Sequence, residues 1–84
     1  MRNAAEFEAK IGSSCAGAGT LVVYGHLDGY EMEALRDTAM SGVASVTIRL
    51  FNVIEAEFED ASRVIRDKLA TLTRRGVAVE VLAA

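Results

Sequence analysis

Apolar and polar residues alternate along several short stretches of this chain, most clearly between Val43 and Phe51. There Val46, Ile48 and Leu50 fall on one face, because successive side chains of a strand point to opposite sides. This stretch therefore predicts a strand with one buried face. Three further strands are predicted from shorter alternating or β-branched runs at residues 5–14, 20–25 and 77–82.

A first amphipathic helix is predicted between the second and third strands. Met32, Leu35 and Ala39 recur at helical spacing and define one apolar face. Asp28 precedes this pattern, where its carboxylate can accept hydrogen bonds from free backbone N–H groups. We therefore expect Asp28 to cap a helix over residues 30–41.

A second helix is predicted between the last two strands. Its apolar stripe consists of Ala61, Val64, Ile65, Leu69 and Leu72. Arg74 and Arg75 suit the negative end of the helix dipole, and Gly76 suits the left-handed C′ position. The acids between Asn52 and Asp60 interrupt the apolar pattern, so they predict an acidic loop before this helix, with Asp60 as its cap.

The order of these elements predicts a single small α/β domain over residues 1–84, with the order β-β-α-β-α-β. The third strand, second helix and last strand form a βαβ unit, which requires parallel strands and a right-handed crossover. We therefore expect a four-stranded mixed sheet with its helices packed on one face. The 5–14 strand is expected at an edge, although its spacing also fits a single helical turn.

Composition argues against several functional classes. The 84 residues carry a formal net charge of −3 with both signs interspersed, which disfavours a nucleic-acid-binding surface. The apolar runs are far shorter than the roughly 20 residues that cross a bilayer, so no membrane insertion is expected. Residues 1–6 lack the apolar core of a secretory signal. The single cysteine, Cys15, cannot form an internal disulfide, which predicts a cytoplasmic, bacterial-type protein.

The sequence contains no constellation typical of an active site. His26 has no second histidine and no well-placed nucleophile, so a surface or capping role is expected for it. Gly12, Gly17 and Gly19 lack the spacing of a phosphate-binding loop. No ligand pattern specifies a metal. We therefore expect a non-enzymatic protein with no cofactor and no metal.

The acidic segment is the strongest candidate for a partner-binding site. The candidate residues are Glu55, Glu57, Phe58, Glu59, Asp60 and Arg63. The acids suit a partner with a basic rim, and Phe58 would either anchor that partner or fasten the loop to the core. The alternative is that the acids only favour the positive end of the helix dipole. Ser62 is a candidate phosphorylation site near a helix N-terminus, with a solvated helix residue as its alternative.

Short motifs between Phe7 and Leu82 resemble those of STAS domains, the fold of anti-sigma-factor antagonists and of cytoplasmic modules of sulfate transporters. They are Gly25-His26-Leu27-Asp28, Leu50-Phe51-Asn52-Val53 and Arg75-Gly76-Val77. The resemblance implies a STAS-like fold and a regulatory role. It also implies a protein partner, either a kinase-like regulator or a transport component.

The chain departs from that family in two places. STAS domains usually have a further helix after the last strand. They also carry an Asp-Ser-Ser/Ala-Gly motif after the central strand, whose serine is phosphorylated in regulatory members. If this chain is aligned with the family without a gap, residues 57–60 occupy the positions of that motif, and Glu59 stands where the phosphorylated serine would be. A loop about three residues longer would place Ser62 there.

Two further functions remain open from the sequence. A homo-oligomer such as a homodimer would use a sheet edge or an uncovered sheet face. Thr47, Arg49 and Phe51 point away from the buried face of their strand, so Phe51 with Val22 or Tyr24 would form an apolar patch if no helix covers that side. A small-molecule or nucleotide site would lie at the carboxyl ends of the parallel strands, near residues 52–60.

Overall fold

Four strands and three helices make up the part of the chain that the computed structural model describes, which is residues 5–13, 20–27, 29–40 and 42–83. The strands are β1 (Glu6–Ser13), β2 (Leu21–His26), β3 (Val43–Phe51) and β4 (Ala78–Ala83). The helices are α1 (Glu31–Ala39), α2 (Glu55–Lys68) and α3 (Ala70–Arg74). The predictions made for Cys15, Gly17, Gly19 and Asp28 fall outside the described residues.

The strands form one mixed sheet in the order β2-β1-β3-β4. β1 is antiparallel to both of its neighbours, and β3 is parallel to β4. The predicted mixed sheet and parallel pair are confirmed, and β1 is a strand and not a helical turn. The expected edge position of β1 is wrong, because strands pair with both of its sides. Its alternation of Phe7, Ala9 and Ile11 indicates which face is buried, but not which strands lie beside it.

The core lies between one face of the sheet and the helices. The sheet contributes the buried side chains of Phe7, Ala9, Ile11, Val46, Ile48, Leu50 and Val81. The helical region contributes Met32, Leu35, Ala39, Ile65, Leu69 and Leu72. Burial of one large aliphatic side chain contributes about 1.5–3 kcal/mol, so this layer holds the helices on the sheet. The predicted apolar faces of β3 and α1 are confirmed.

Helix α2 begins at Glu55, so the acidic loop predicted between Asn52 and Asp60 is wrong. Residues 55–60 form the first turns of the helix, because glutamate and alanine are strong helix formers and acids favour the positive end of the dipole. Asp60 lies inside the helix, and the N-cap residue is Ile54, which makes no side-chain capping hydrogen bond. Asn52 turns the chain out of β3 with a φ of 60°, a conformation that asparagine tolerates.

The helical region after Glu55 is interrupted at Leu69 and resumes as α3, where one continuous helix was expected. Helix α3 ends at Arg74 with Arg75 as its C-cap, and Gly76 takes the predicted left-handed C′ position with a φ of 87° that favours glycine. The buried stripe of α2 is rotated from the expected one. Val64 is 42% exposed, whereas Ser62 is buried.

Candidate protein-binding groove

A groove of about 650 Å³ lies between helix α2 and the edge strand β4, and we call it the α2–β4 groove. It is lined by Glu55, Phe58, Glu59, Ser62, Arg63, Arg66 and Val81. Phe58 and Val81 provide an apolar floor, since Val81 is buried and Phe58 packs against the core cluster. The charged side chains form the rim.

The helical spacing explains why these side chains meet. Glu55, Glu59 and Arg63 recur every four residues, so they follow one flank of α2. Arg66 extends this flank toward the C-terminal end of the helix. The rim is therefore acidic at one end and basic at the other, and it is roughly 16 Å long at 1.5 Å per residue.

Ser62 places a hydroxyl group in the wall of the groove. Its side chain is 9% exposed, and its Oγ makes no hydrogen bond to any of the described residues. A buried hydroxyl without a partner costs about 1–3 kcal/mol.

The same position removes the physical basis of the predicted phosphorylation site. Ser62 lies about two turns into α2, where the backbone N–H groups already bond within the helix. The free N–H groups that would welcome a phosphate are therefore not beside it. The alternative of a solvated side chain is also wrong, because Ser62 is buried.

The six predicted partner-binding residues do not form one cluster. Four of them line the groove, namely Glu55, Phe58, Glu59 and Arg63. Glu57 lies on the other flank, since two residues along a helix correspond to a rotation of about 200°. The Asp60 Oδ1 is 3.5 Å from the Arg63 Nη1 at an exposed position, a pairing that contributes little in water. A helix that begins at Glu55 has Glu57 and Asp60 on different sides from Glu55 and Glu59, but the sequence pattern does not reveal this start.

Arg66 and Val81 are groove residues that the sequence interpretation missed. The spacing of Arg66 fits a helix flank, but it does not indicate a groove. Nothing in the local sequence of Val81 indicates that it lies beside α2. Only the pairing of β4 with β3 puts it there.

A second cleft, of about 740 Å³, lies at the carboxyl ends of β3 and β4, and we call it the sheet-end cleft. It is lined by Arg49, Leu50, Phe51, Asn52, Val53, Glu55, Phe58 and Ala83. Glu55 and Phe58 also line the α2–β4 groove, so the two depressions meet at these side chains. The guanidinium carbon of Arg49 is 5.9 Å from the centroid of the Phe51 ring.

The face of the sheet opposite the helices carries no element among the described residues, and we call it the open face. Thr47, Arg49 and Phe51 lie on this side, as predicted. In the strand register, Tyr24, Glu8, Arg49 and Leu82 form one row across β2, β1, β3 and β4. The Arg49 Nη1 is 3.8 Å from the Glu8 Oε1.

Tyr24 and Glu8 interact on the open face. A hydrogen bond from the Tyr24 hydroxyl to the Glu8 carboxylate raises the pKa of Tyr24 above its usual 10.0, and the negative charge of Glu8 adds to this effect. Tyr24 is nevertheless 69% exposed. The ring therefore stands above the sheet while its hydroxyl bonds to a neighbouring strand.

Within residues 5–13, 20–27, 29–40 and 42–83, no helix is long and apolar enough to cross a membrane. In the same part of the chain, no group of three or more His, Cys, Asp or Glu side chains is placed to hold a metal ion. Comparison with protein-family models, with curated proteins and with solved structures finds no match to this chain.

Proposed function

We propose that this domain is a non-enzymatic protein-interaction module that binds an extended segment of a partner along β4 and in the α2–β4 groove. The observation that supports this function best is the groove itself. It combines an apolar floor with a rim that is acidic at one end and basic at the other.

The free edge of β4 supports binding of an extended segment. β4 pairs with β3 on one side, and no described strand pairs with its other side. An edge strand offers unpaired backbone N–H and C=O groups to an added strand. The sequence of β4 has only Glu80 as a charge and contains no proline, so little in it opposes such pairing.

The rim supports a specific charge pattern in the partner. Glu55 and Glu59 would attract a lysine or arginine, and Arg63 and Arg66 would attract an acid. At about 3.3 Å per extended residue, the rim of roughly 16 Å matches about five partner residues. A central apolar side chain would contact Phe58. The association rate should fall as salt screens the exposed charges.

The resemblance to STAS domains indicates which kind of protein the partner would be. A kinase-like regulator or a transport component is the partner by that analogy, although a fold alone does not determine function. The single cysteine supports a cytoplasmic location for the module. Phosphorylation of Ser62 is not part of the proposal, because the side chain is buried in a helix.

The test is titration of the ¹⁵N-labelled chain with a peptide of about seven residues that carries arginine and glutamate on either side of a central leucine. We expect amide shifts in β4 and in the first half of α2. A peptide with two glutamates should bind at least ten-fold more weakly, because one of them meets Glu55 and Glu59.

Matched variants make this titration specific. Glu55→Lys/Glu59→Lys reverses the acidic end of the rim and should abolish the shifts. Glu57→Lys/Asp67→Lys changes the charge of α2 equally, but neither residue lines the groove, so it should bind within about two-fold of the original chain. Equal loss in both variants, or shifts confined to other elements, would refute the proposal.

A small-ligand site is a second candidate, favoured by the sheet-end cleft. The cleft lies at the carboxyl ends of parallel strands and places the Arg49 guanidinium beside the Phe51 ring. A planar aromatic carboxylate would suit this pair. Benzoate and indole-3-acetate should then raise the melting temperature by more than about 2 °C, and Phe51→Ala should remove that rise. No shift at millimolar concentrations would exclude these ligands.

A further inference from the structure

We propose that the open face packs against the open face of a second copy of this chain, around a two-fold axis that runs between β1 and β3. This interface is separate from the α2–β4 groove. It lies on the opposite side of the sheet from the helices and uses none of the side chains that line that groove.

Exposed apolar side chains lie toward both margins of the open face. Val22 and Tyr24 on β2 are 40% and 69% exposed, and Leu82 on β4 is 39% exposed. The register places Tyr24 and Leu82 at opposite ends of one row. Exposed apolar surface grouped in this way, with polar side chains between, is typical of an interaction surface.

The centre of the same row contains a carboxylate oxygen that lacks a donor. The Glu8 side chain is 13% exposed, and its Oε1 makes no hydrogen bond to a described residue. The nearest cation, the Arg49 Nη1 at 3.8 Å, is beyond hydrogen-bond distance. A further cationic donor above the sheet would therefore stabilise the charge of this carboxylate, without reaching the Oε1, which is buried.

A second copy supplies that donor by symmetry. Glu8 and Arg49 are register partners on β1 and β3, so an axis between these strands and parallel to them exchanges the two strands. Glu8 of one copy then faces Arg49 of the other, twice, and the four charges alternate in sign. The same operation places Tyr24 opposite Leu82. This row is thus self-complementary, as a two-fold dimer requires.

The charge of the open face disfavours other occupants. Glu6, Glu8 and Glu80 stand on it beside Lys10 and Arg49. A nucleic acid or an anionic membrane would need a predominantly basic surface. A mixed surface with opposite charges in register at Glu8 and Arg49 suits a copy of itself.

The size of the face predicts a weak dimer. Four strands about 4.8 Å apart, with six paired residues at about 3.3 Å each, cover roughly 400 Å² per copy. The total of roughly 800 Å² is below the range of stable interfaces. We therefore expect monomers at low micromolar concentration and dimers at hundreds of micromolar.

Sedimentation velocity from about 5 to 500 μM tests this proposal on the whole chain. The original chain should change from monomer to dimer over that range. Glu8→Arg and Arg49→Glu each place like charges across the axis, so each alone should weaken dimerisation at least ten-fold. Glu33→Arg, on an exposed position of α1, makes the same charge change as Glu8→Arg and should leave the dimer unchanged.

Mixing the two charge-reversal variants gives the decisive result. In a mixed pair, the arginine introduced in one copy faces the glutamate introduced in the other, and the unchanged Arg49 faces the unchanged Glu8. Both contacts are again attractive, so dimers should reappear. If either variant is unfolded by circular dichroism, Leu82→Lys replaces it and should also weaken the dimer.

A monomer at 500 μM, or dimers that resist every substitution, would overturn the proposal. The groove variant Glu55→Lys/Glu59→Lys should dimerise normally, because neither of its substitutions lies on the open face. That variant therefore tests groove binding and dimerisation independently, so that either proposal can fail without the other.

Discussion

Gly25 lies directly against Glu31, the first residue of α1. A β-carbon on Gly25 would be 2.6 Å from the Cβ of Glu31 and 3.0 Å from the Cε1 of Phe7. The absence of a side chain at this position therefore lets the start of α1 approach the end of β2. This gives the glycine a packing role that does not depend on any family resemblance.

We expect Gly25→Ala to lower the free energy of unfolding by about 1–3 kcal/mol, the usual cost of overpacking. The Cβ of Glu31 is fixed by the helix backbone and cannot move aside. Urea unfolding followed by circular dichroism measures the change. Gly29→Ala is the matched control, because a β-carbon there meets the carboxylate of the same Glu31, which is the far end of a flexible side chain and not a β-carbon fixed by the helix. Equal losses in the two variants would contradict this explanation.

Ser62→Ala should be neutral or stabilising by up to about 1 kcal/mol, because it removes a buried hydroxyl that makes no hydrogen bond to the described residues. Ser62→Asp should instead destabilise by more than about 2 kcal/mol, since it buries a charge. Chemical denaturation of both variants gives the comparison. An Asp variant as stable as the original chain would show that this side chain readily reaches solvent, and it would revive phosphorylation at Ser62.

Gly76→Ala should cost about 1 kcal/mol, because alanine disfavours the φ of 87° at this helix end. A β-carbon there would have no neighbour within 4 Å, so the cost comes from the backbone alone. Gly76→Asn should lose less stability than Gly76→Ala, because asparagine tolerates the left-handed region. Thermal unfolding of the two variants tests this order, and the reverse order would show that another interaction dominates.

The raised pKa of Tyr24 predicts a loss of stability at high pH. The folded chain retains the phenol proton where the unfolded chain has released it. This contribution is therefore fully present below pH about 10 and is lost as the pH rises through the folded pKa. Phenolate absorbance in a Tyr30→Phe background reports on Tyr24 alone. Glu8→Gln should lower the pKa toward 10.0, and an unchanged titration would exclude Glu8 as the cause.

The sequence predicted which face of each strand or helix is buried better than it predicted which strands are adjacent in the sheet. Val46, Ile48 and Leu50 show the two-residue period of a half-buried strand, and Met32 and Leu35 show a helical one, so both assignments were confirmed. The position of β1 depends on pairing with β3, whose residues are distant in the chain. Local periodicity carries no information about that pairing.

The groove was obscured by two properties of α2. Its first turns are rich in glutamate, and the apolar pattern that would mark their buried side is sparse. The buried side runs from Phe58 through Ser62 to Ile65, and a polar residue at the middle position hides the period. The apolar pattern therefore predicts a helix start at Ala61 and a loop for the acids before it, although the helix divides these acids between its flanks.

The central position of β1 also affects the order in which the sheet can assemble during synthesis of the chain. Glu6 pairs with Phe51, so one side of β1 has no partner until that residue has been synthesised. At about 5–20 residues per second, the interval between residues 6 and 51 lasts roughly 2–9 s on the ribosome. Once β2 has been synthesised, the antiparallel β1–β2 pair has an unpaired edge until β3 joins it. Glu6, Glu8 and Lys10 alternate along that edge, where charged side chains discourage mispairing before β3 arrives.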